Sequence, residues 1–208
     1  MRRAVGALAL ALSGCVGTQI FPIQQEQVIS LRPGDLEAAG IAFITPATVT
    51  GQEQEKQAVA LTFAEVLKRE RPRVQVTTLA ETLSAVNKAG LADAYKRMYD
   101  ESRDTGLFAS DVLRRVGAAT GARYIAHLKL QGFGQGSKSR FGVLGLRLVE
   151  TQFADVRIFF QIWDSRDGAI AWEGLQELRI ANDSPTEEPV TLRSLLERTA
   201  HDLIAKVP

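Results

Sequence analysis

Ile41-Ala42-Phe43-Ile44 is an uninterrupted apolar run closed by Pro46. A strand that is apolar on both faces has to be covered on both faces, and a sheet with one wet side does not do that. The run therefore predicts helices above and below a sheet. The residues that follow agree. Thr50-Gly51-Gln52-Glu53 and Thr78-Leu79-Ala80-Glu81 both have capping-box spacing, in which Thr and Glu satisfy the free amides at a helix start. Val59, Thr62, Phe63, Val66 and Leu67 recur at helical spacing after the first box, and Leu79, Leu83 and Val86 after the second. Val74 and Val76 alternate between them as a strand. Leu91, Tyr95, Met98 and Tyr99 mark a third helix. Ser110 is placed to cap a fourth, with Gly121 just past its end.

From Arg123 the period changes to two. Tyr124, Ala126, Leu128 and Leu130 fall on one face, His127 and Lys129 on the other, polar one. Gly132 to about Gly145 reads as a glycine-rich loop. Val156, Ile158, Phe160 and Ile162 then alternate through the longest strand signal, and Asp164 to Gly168 has the make-up of a hairpin turn. Pairing Ile162 with Ile170 across that turn puts Phe160 opposite Trp172. Asn182 to Pro189 reads as a loop, and Leu192 to Ile204 as an amphipathic helix. The order β-α-β-α-α-α-β-β-β-α predicts an α/β (α+β) chain, one three-layer-like domain with a mixed β-sheet and flanking helices.

The N-terminus carries a different message. Arg2-Arg3 precede the apolar run Ala4 to Leu12, the charged and apolar parts of a secretory signal. The run is less than half the ~20 residues that a spanning helix requires. Leu12-Ser13-Gly14-Cys15 resembles the lipobox of bacterial lipoproteins, in which the Cys is diacylated and the signal is cut before it. That resemblance implies a signal peptide over 1–14, an acylated (palmitate-bearing) Cys15 followed by a tether over 15–39, and a soluble periplasmic domain over 40–208. Val16, in place of the Asp that retains lipoproteins at the inner membrane, implies the outer membrane. Cleavage before Cys15 leaves 23 basic against 24 acidic residues, so attachment rests on acyl chains and not on a polybasic patch.

A formal net charge of +1 supplies no field for a nucleic-acid partner. One Cys and two His exclude a disulfide framework and a Cys-rich metal site. No cofactor is expected. Gly132-Phe133-Gly134-Gln135-Gly136 leads into a strand and not a helix, so it lacks the context of a phosphate-binding fingerprint. His201 flanks a Leu-rich helix face, and no Gly-x-Ser-x-Gly elbow occurs, so no catalytic constellation is expected. Two surfaces stay open as candidates. Lys138, Arg140 and Arg147 lie among Phe141, Val143, Leu144 and Leu146 with no acid between them, as an interface with lipid, a partner or a sister subunit would. Trp163, Asp164 and Asp167 could serve an envelope hydrolase or a glycan-binding protein, although turn geometry accounts for both carboxylates.

Two segments carry a further resemblance. Val116-Gly117-Ala118-Ala119-Thr120-Gly121-Ala122-Arg123-Tyr124-Ile125-Ala126 resembles the helix–Gly-Ala–strand step of periplasmic lipoproteins of the curli-secretion-channel type. Gln161-Ile162-Trp163-Asp164-Ser165-Arg166-Asp167-Gly168-Ala169-Ile170-Ala171-Trp172 resembles their closing hairpin. The wider group includes penicillin-binding-protein activators and exopolysaccharide-export lipoproteins. The resemblance implies a non-catalytic assembly, secretion or partner-binding accessory factor, with an envelope protein partner or self-association. The chain departs from the channel itself in lacking two long alternating hairpins that could cross a membrane.

Overall fold

The computed structural model describes residues 18–49, 53–143, 146–184 and 191–208, with side chains for 19–49, 54–136, 153–181 and 191–208. Cys15 and residues 50–52 of the first capping box lie outside the described residues. The elements run β1 (Thr18–Val28), α1 (Asp35–Ala39), β2 (Ile41–Phe43), β3 (Ala47–Thr48), α2 (Glu53–Glu70), β4 (Val76–Thr77) and α3 (Leu79–Lys88). They continue α4 (Ala92–Thr105), α5 (Ser110–Thr120), β5 (Tyr124–Val143), β6 (Leu146–Asp164), β7 (Ala169–Ser184) and α6 (Leu192–Ile204). The sheet order is β1-β7-β6-β5-β2-β4, with β3 also paired to β5. β2 lies parallel to both β4 and β5, while β5, β6, β7 and β1 form an antiparallel ladder.

Apolar residues fill both sides of this sheet. On one side Phe43, Tyr124, Leu128, Phe160 and Trp172 pack with Phe63 and Leu67 of α2 and with Leu196 and Leu203 of α6. On the other, Ala42, Ile44, Ile125 and Trp163 pack with Val86 of α3, Met98 of α4 and Leu113 of α5. That is the expected three-layer mixed α/β domain, and the Ile41–Ile44 run is buried throughout. Thr78 and Glu81 cap α3 reciprocally, the Thr78 amide donating to Glu81 Oε2 at 2.7 Å. That backbone hydrogen bond lowers the Glu81 carboxyl below its usual value. At α5 the expectation shifts by one residue: Ser110 is the first helical residue, and Ala109 holds the cap position.

Three expectations need correction. Residues 18–39 are not only a tether. β1 adds to the edge of the sheet beside β7, and Leu31 and Leu36 are buried, so ordered structure starts well before Gly40. Residues 132–143 are not a loop, because β5, a strand of 20 residues, runs through them paired antiparallel with the 19 residues of β6. The glycines have a packing reason. A Cβ on Gly134 would sit 2.7 Å from Asp155 Oδ1, and one on Gly136 would sit 2.5 Å from Phe153 Cζ. The missing side chains make room for β6 residues that fold across β5.

The third correction is the register of the closing hairpin. An irregularity between Ile162 and Trp163 pairs Ile162 with Trp172 and Phe160 with Gly174. Trp172 then leans over Gly174, where a Cβ would be 2.5 Å from its ring, and meets Phe160 edge-on at 5.4 Å. Trp172 is fully buried, at 0% exposure. Trp172→Ala is therefore expected to lower unfolding free energy by ~3–5 kcal/mol in denaturant titration. Trp172→Phe should cost much less. A Trp172→Ala chain as stable as the wild type would contradict this packing.

Candidate interaction surface

The antiparallel ladder β1-β7-β6-β5 extends past the part of the sheet that α3–α5 cover. On its helix side Ala154, Val156, Ile158 and Leu178 are buried. On the opposite side Arg157 and Glu177 face each other across the β6–β7 pair, as do Asp155 and Arg179. Such cross-strand opposite charges suit a solvated face. The hairpin residues singled out from the sequence fall at its far end. Lys138 pairs with Thr151, Phe141 with Val149 and Gly142 with Arg147, and Arg140 lies in the same strand as Phe141. The side chains of Lys138, Arg140, Phe141 and Arg147 lie outside those described.

β1 is an edge strand in a stretch where Ile20, Phe21, Ile23, Val28, Ile29 and Leu31 suggest from the sequence that part of the tether docks, without indicating a strand. From Gln19 to Ser30 every residue is exposed. Ile20, Phe21, Ile23, Val28 and Ile29 are among the large apolar side chains in water, with Phe21 at 55% and Ile23 at 57%. β7 occupies one backbone edge of β1, and no second strand pairs with it among the described residues. An eleven-residue edge of this kind is a template for another strand. The signal available in the sequence was the cluster of Ile and Phe inside a Gln-rich stretch.

The Trp163/Asp164/Asp167 region does not form a site. Trp163 is 2% exposed and meets Phe108 edge-on at 5.2 Å. Asp164 Oδ2 accepts from Arg123 Nε at 2.9 Å, and Oδ1 accepts from the Arg166 amide at 3.0 Å. Burial pushes the Asp164 carboxyl up, but the bonds from Arg123 and Arg166 outweigh it and hold it below the usual carboxylate value. Asp167 caps its own turn through the Ala169 amide at 2.9 Å. The glycan-stacking and hydrolytic reading of these residues is thus overturned: the indole is core and both acids brace a turn. His201 is a surface residue whose Nδ1 lies 2.6 Å from Glu70 Oε1, tying α6 to α2.

His127 departs from the sequence reading most. Its face of β5 is polar in sequence, yet Tyr99 of α4 and Phe108 of the α4–α5 connection cover it, and the ring is 3% exposed with Phe108 at 4.8 Å. Burial, and then the charge of Lys129, push its pKa down to about 3. The unfolded chain takes up this proton near ~6.5. Between the two values the unfolded state binds more protons, so stability falls as pH is lowered through that window. The slope is about 1.4 kcal/mol per pH unit where the difference is a full proton. The expected outcome is a His127 resonance that does not titrate between pH 8 and 5, and a His127→Phe chain that loses this part of its acid sensitivity. A wild-type His127 titrating near 6.5 would refute the burial.

Among the described residues no helix is long and apolar enough to cross a membrane, and no group of three or more His, Cys, Asp or Glu gathers as a metal site. No family model matches the chain, and no curated protein matches it. Solved structures do. The chain is similar to the PelC dodecamer from Paraburkholderia phytofirmans, at 16% identity over 90% of this chain and 94% of that one, with a TM-score of 0.43. It is similar to lipoprotein GNA1162 from Neisseria meningitidis, at 14% identity over 81% and 97%, with a TM-score of 0.41. The C-terminal domain of LpoB from Salmonella enterica matches at 12% identity over 67% and 82%, with a TM-score of 0.33.

Proposed function

We propose that the chain is an outer-membrane lipoprotein, acylated at Cys15 and facing the periplasm, which acts without catalysis as an assembly, secretion or partner-binding accessory factor. The supporting observation is a shared end of the sheet. Thr18 stands in one row with Asn182, Gln152 and Ser137. β1 runs from that row in one direction, and β5 beyond Ser137 runs from it in the other, so Thr18 is the end of β1 nearer the far end of the hairpin. Cys15 is three residues from Thr18, a reach of at most ~11 Å. From Ser137 to Val143 the strand runs ~20 Å further. An acyl chain on Cys15 therefore brings the hairpin end to the bilayer interface. There Phe141, Val143 and Leu146 supply apolar residues, and Lys138, Arg140 and Arg147 supply cations for anionic headgroups. In this reading Cys15→Ser abolishes acyl labelling and signal processing. Continued labelling of the variant ends the lipoprotein claim.

Anchoring also restricts how copies associate. Copies attached to one bilayer are related by rotation about its normal, so all of them point the same way. Pairing β1 with a second β1 antiparallel would send the two anchors to opposite ends. β1 runs away from the anchored end and β5 runs toward it, and beyond Leu130 the outer side of β5 is no longer covered by β2 or β3. β1 of one copy beside β5 of the next continues the antiparallel ladder, a head-to-tail contact that builds rings or rows. Within one copy β1 and β5 are separated by β7 and β6, about 14 Å at the usual strand spacing. A disulfide between them accordingly forms only between copies. Thr18→Cys combined in turn with Cys at Gly132, Ser137 or Lys138 is expected to give, in at least one pairing, a ladder beyond dimer on non-reducing gels of envelopes. Monomers throughout, or ladders that stop at dimer, would overturn the head-to-tail contact while leaving the acylation result standing.

A further inference from the structure

The end of the sheet away from Thr18, where β1 finishes and β5 begins, carries a row of arginines. The segment from Ile29 to Asp35 crosses this end from β1 to β5. Its Ile29 and Leu31 amides donate to the Ala171 carbonyl, and the Tyr124 hydroxyl donates to Asp35 Oδ2 at 3.2 Å. The same carboxylate oxygen accepts from the Arg32 amide at 2.9 Å. Beside them Arg123 lies over the Tyr124 ring at 5.0 Å and donates through Nε to Asp164 Oδ2 at 2.9 Å. Asp164 Oδ1 accepts from the Arg166 amide at 3.0 Å, and the Arg166 carbonyl accepts from Arg114 Nε at 3.4 Å. Hydrogen bonds and one ring contact thus run unbroken from Arg32 to Arg114.

The acids of this end are already engaged. Asp164 is buried, Asp35 is half-buried, and Asp167 caps its own turn. Asp111 stands on α5 at helical spacing from Arg114 and Arg115. The arginines are turned outward. Arg32, Arg114 and Arg166 are exposed, as is Arg73, two residues before the Gln75 carbonyl that accepts from the Ile41 amide. Among the described residues, Arg32, Arg73, Arg114 and Arg166 form no ion pair. Val28 and Ile29, at 53% and 52% exposure, stand just before Arg32. Guanidinium forks match carboxylates, and arginines set beside exposed apolar side chains have the composition of a protein interface. An acidic glycan would satisfy the arginines but would bring no side chain for Val28 and Ile29.

We propose that this end docks an acidic, amphipathic segment of an envelope protein, with its carboxylates on Arg32 and Arg166 and its apolar side chains on Val28 and Ile29. The proposal rests on the partner-binding reading above and adds the place and the chemistry of the contact. The full chain in non-ionic detergent is titrated by calorimetry, against a detergent blank, with three probes. They are a peptide of alternating Glu and Leu pairs, the same peptide with Lys in place of Glu, and polygalacturonate, a glycan that bears carboxylates. The acidic peptide is expected to bind saturably with Kd below about 1 mM, and the Lys peptide and the glycan at least roughly tenfold more weakly. Arg32→Gln combined with Arg166→Gln should weaken the acidic peptide by about tenfold or more, as for lost charge-assisted hydrogen bonds. Ile29→Ser should weaken it by about threefold. Lys88→Gln, an exposed cation on α3, should leave it unchanged. The proposal is overturned if the acidic peptide does not bind up to about 10 mM, if the Lys peptide or the glycan binds as well, or if the arginine variant binds like the wild type. Acyl labelling at Cys15 does not enter this measurement, so either reading can fail alone.

Discussion

The fold depends on β5 being buried from both sides at its start. Tyr124, Ala126, Leu128 and Leu130 enter the core formed with α2 and α6, and Ile125 enters the core formed with α3, α4 and α5. The same strand joins two kinds of sheet, parallel to β2 and β3 on one side and antiparallel to β6 on the other. Because strand side chains alternate strictly, a one-residue slip would exchange the two cores. The register of the β5–β6 pair is thereby set at its base and propagates outward along both strands.

The same strand shows how one local sequence can satisfy two environments. Up to Leu130 its inward residues fill volume; beyond it, Gly134 and Gly136 supply the lack of it. The irregularity between Leu130 and Gly132 marks the change. With Asp155 and Phe153 lying across Gly134 and Gly136, this part of β5 is packed by side chains of the neighbouring strand and held to it by the backbone ladder.

Much of the interior was legible in the sequence, because burial writes a period. The Ile41–Ile44 run, the Thr78/Glu81 cap, the alternation from Val156 to Ile162 and the Leu pattern of α6 all report a core face directly. What escaped was decided by neighbours. β1 has no buried face, so its residues follow no period, and its place in the sheet comes from backbone pairing with β7. The register at Trp172 turns on one inserted irregularity, and His127 is buried because helices distant in sequence close over it. The glycines of β5 read as a break because the side chains that need their space belong to another strand. For the same reason the strands that carry Lys138, Arg140, Phe141 and Arg147 read as a loop.

The pairing of β1 with β7 also has a consequence in time. Ile20 meets Ile180, so the strand synthesised first waits for the one synthesised last. Closing so long a loop is entropically costly, and contacts of this sequence separation form late. The three inner strands of the ladder and the helical layers can assemble without β1, which contributes no residue to either core. β1 accordingly stays accessible while the rest of the chain is already folded. Docking of β1 then closes the interval and makes the first strand of the chain the outermost of the sheet.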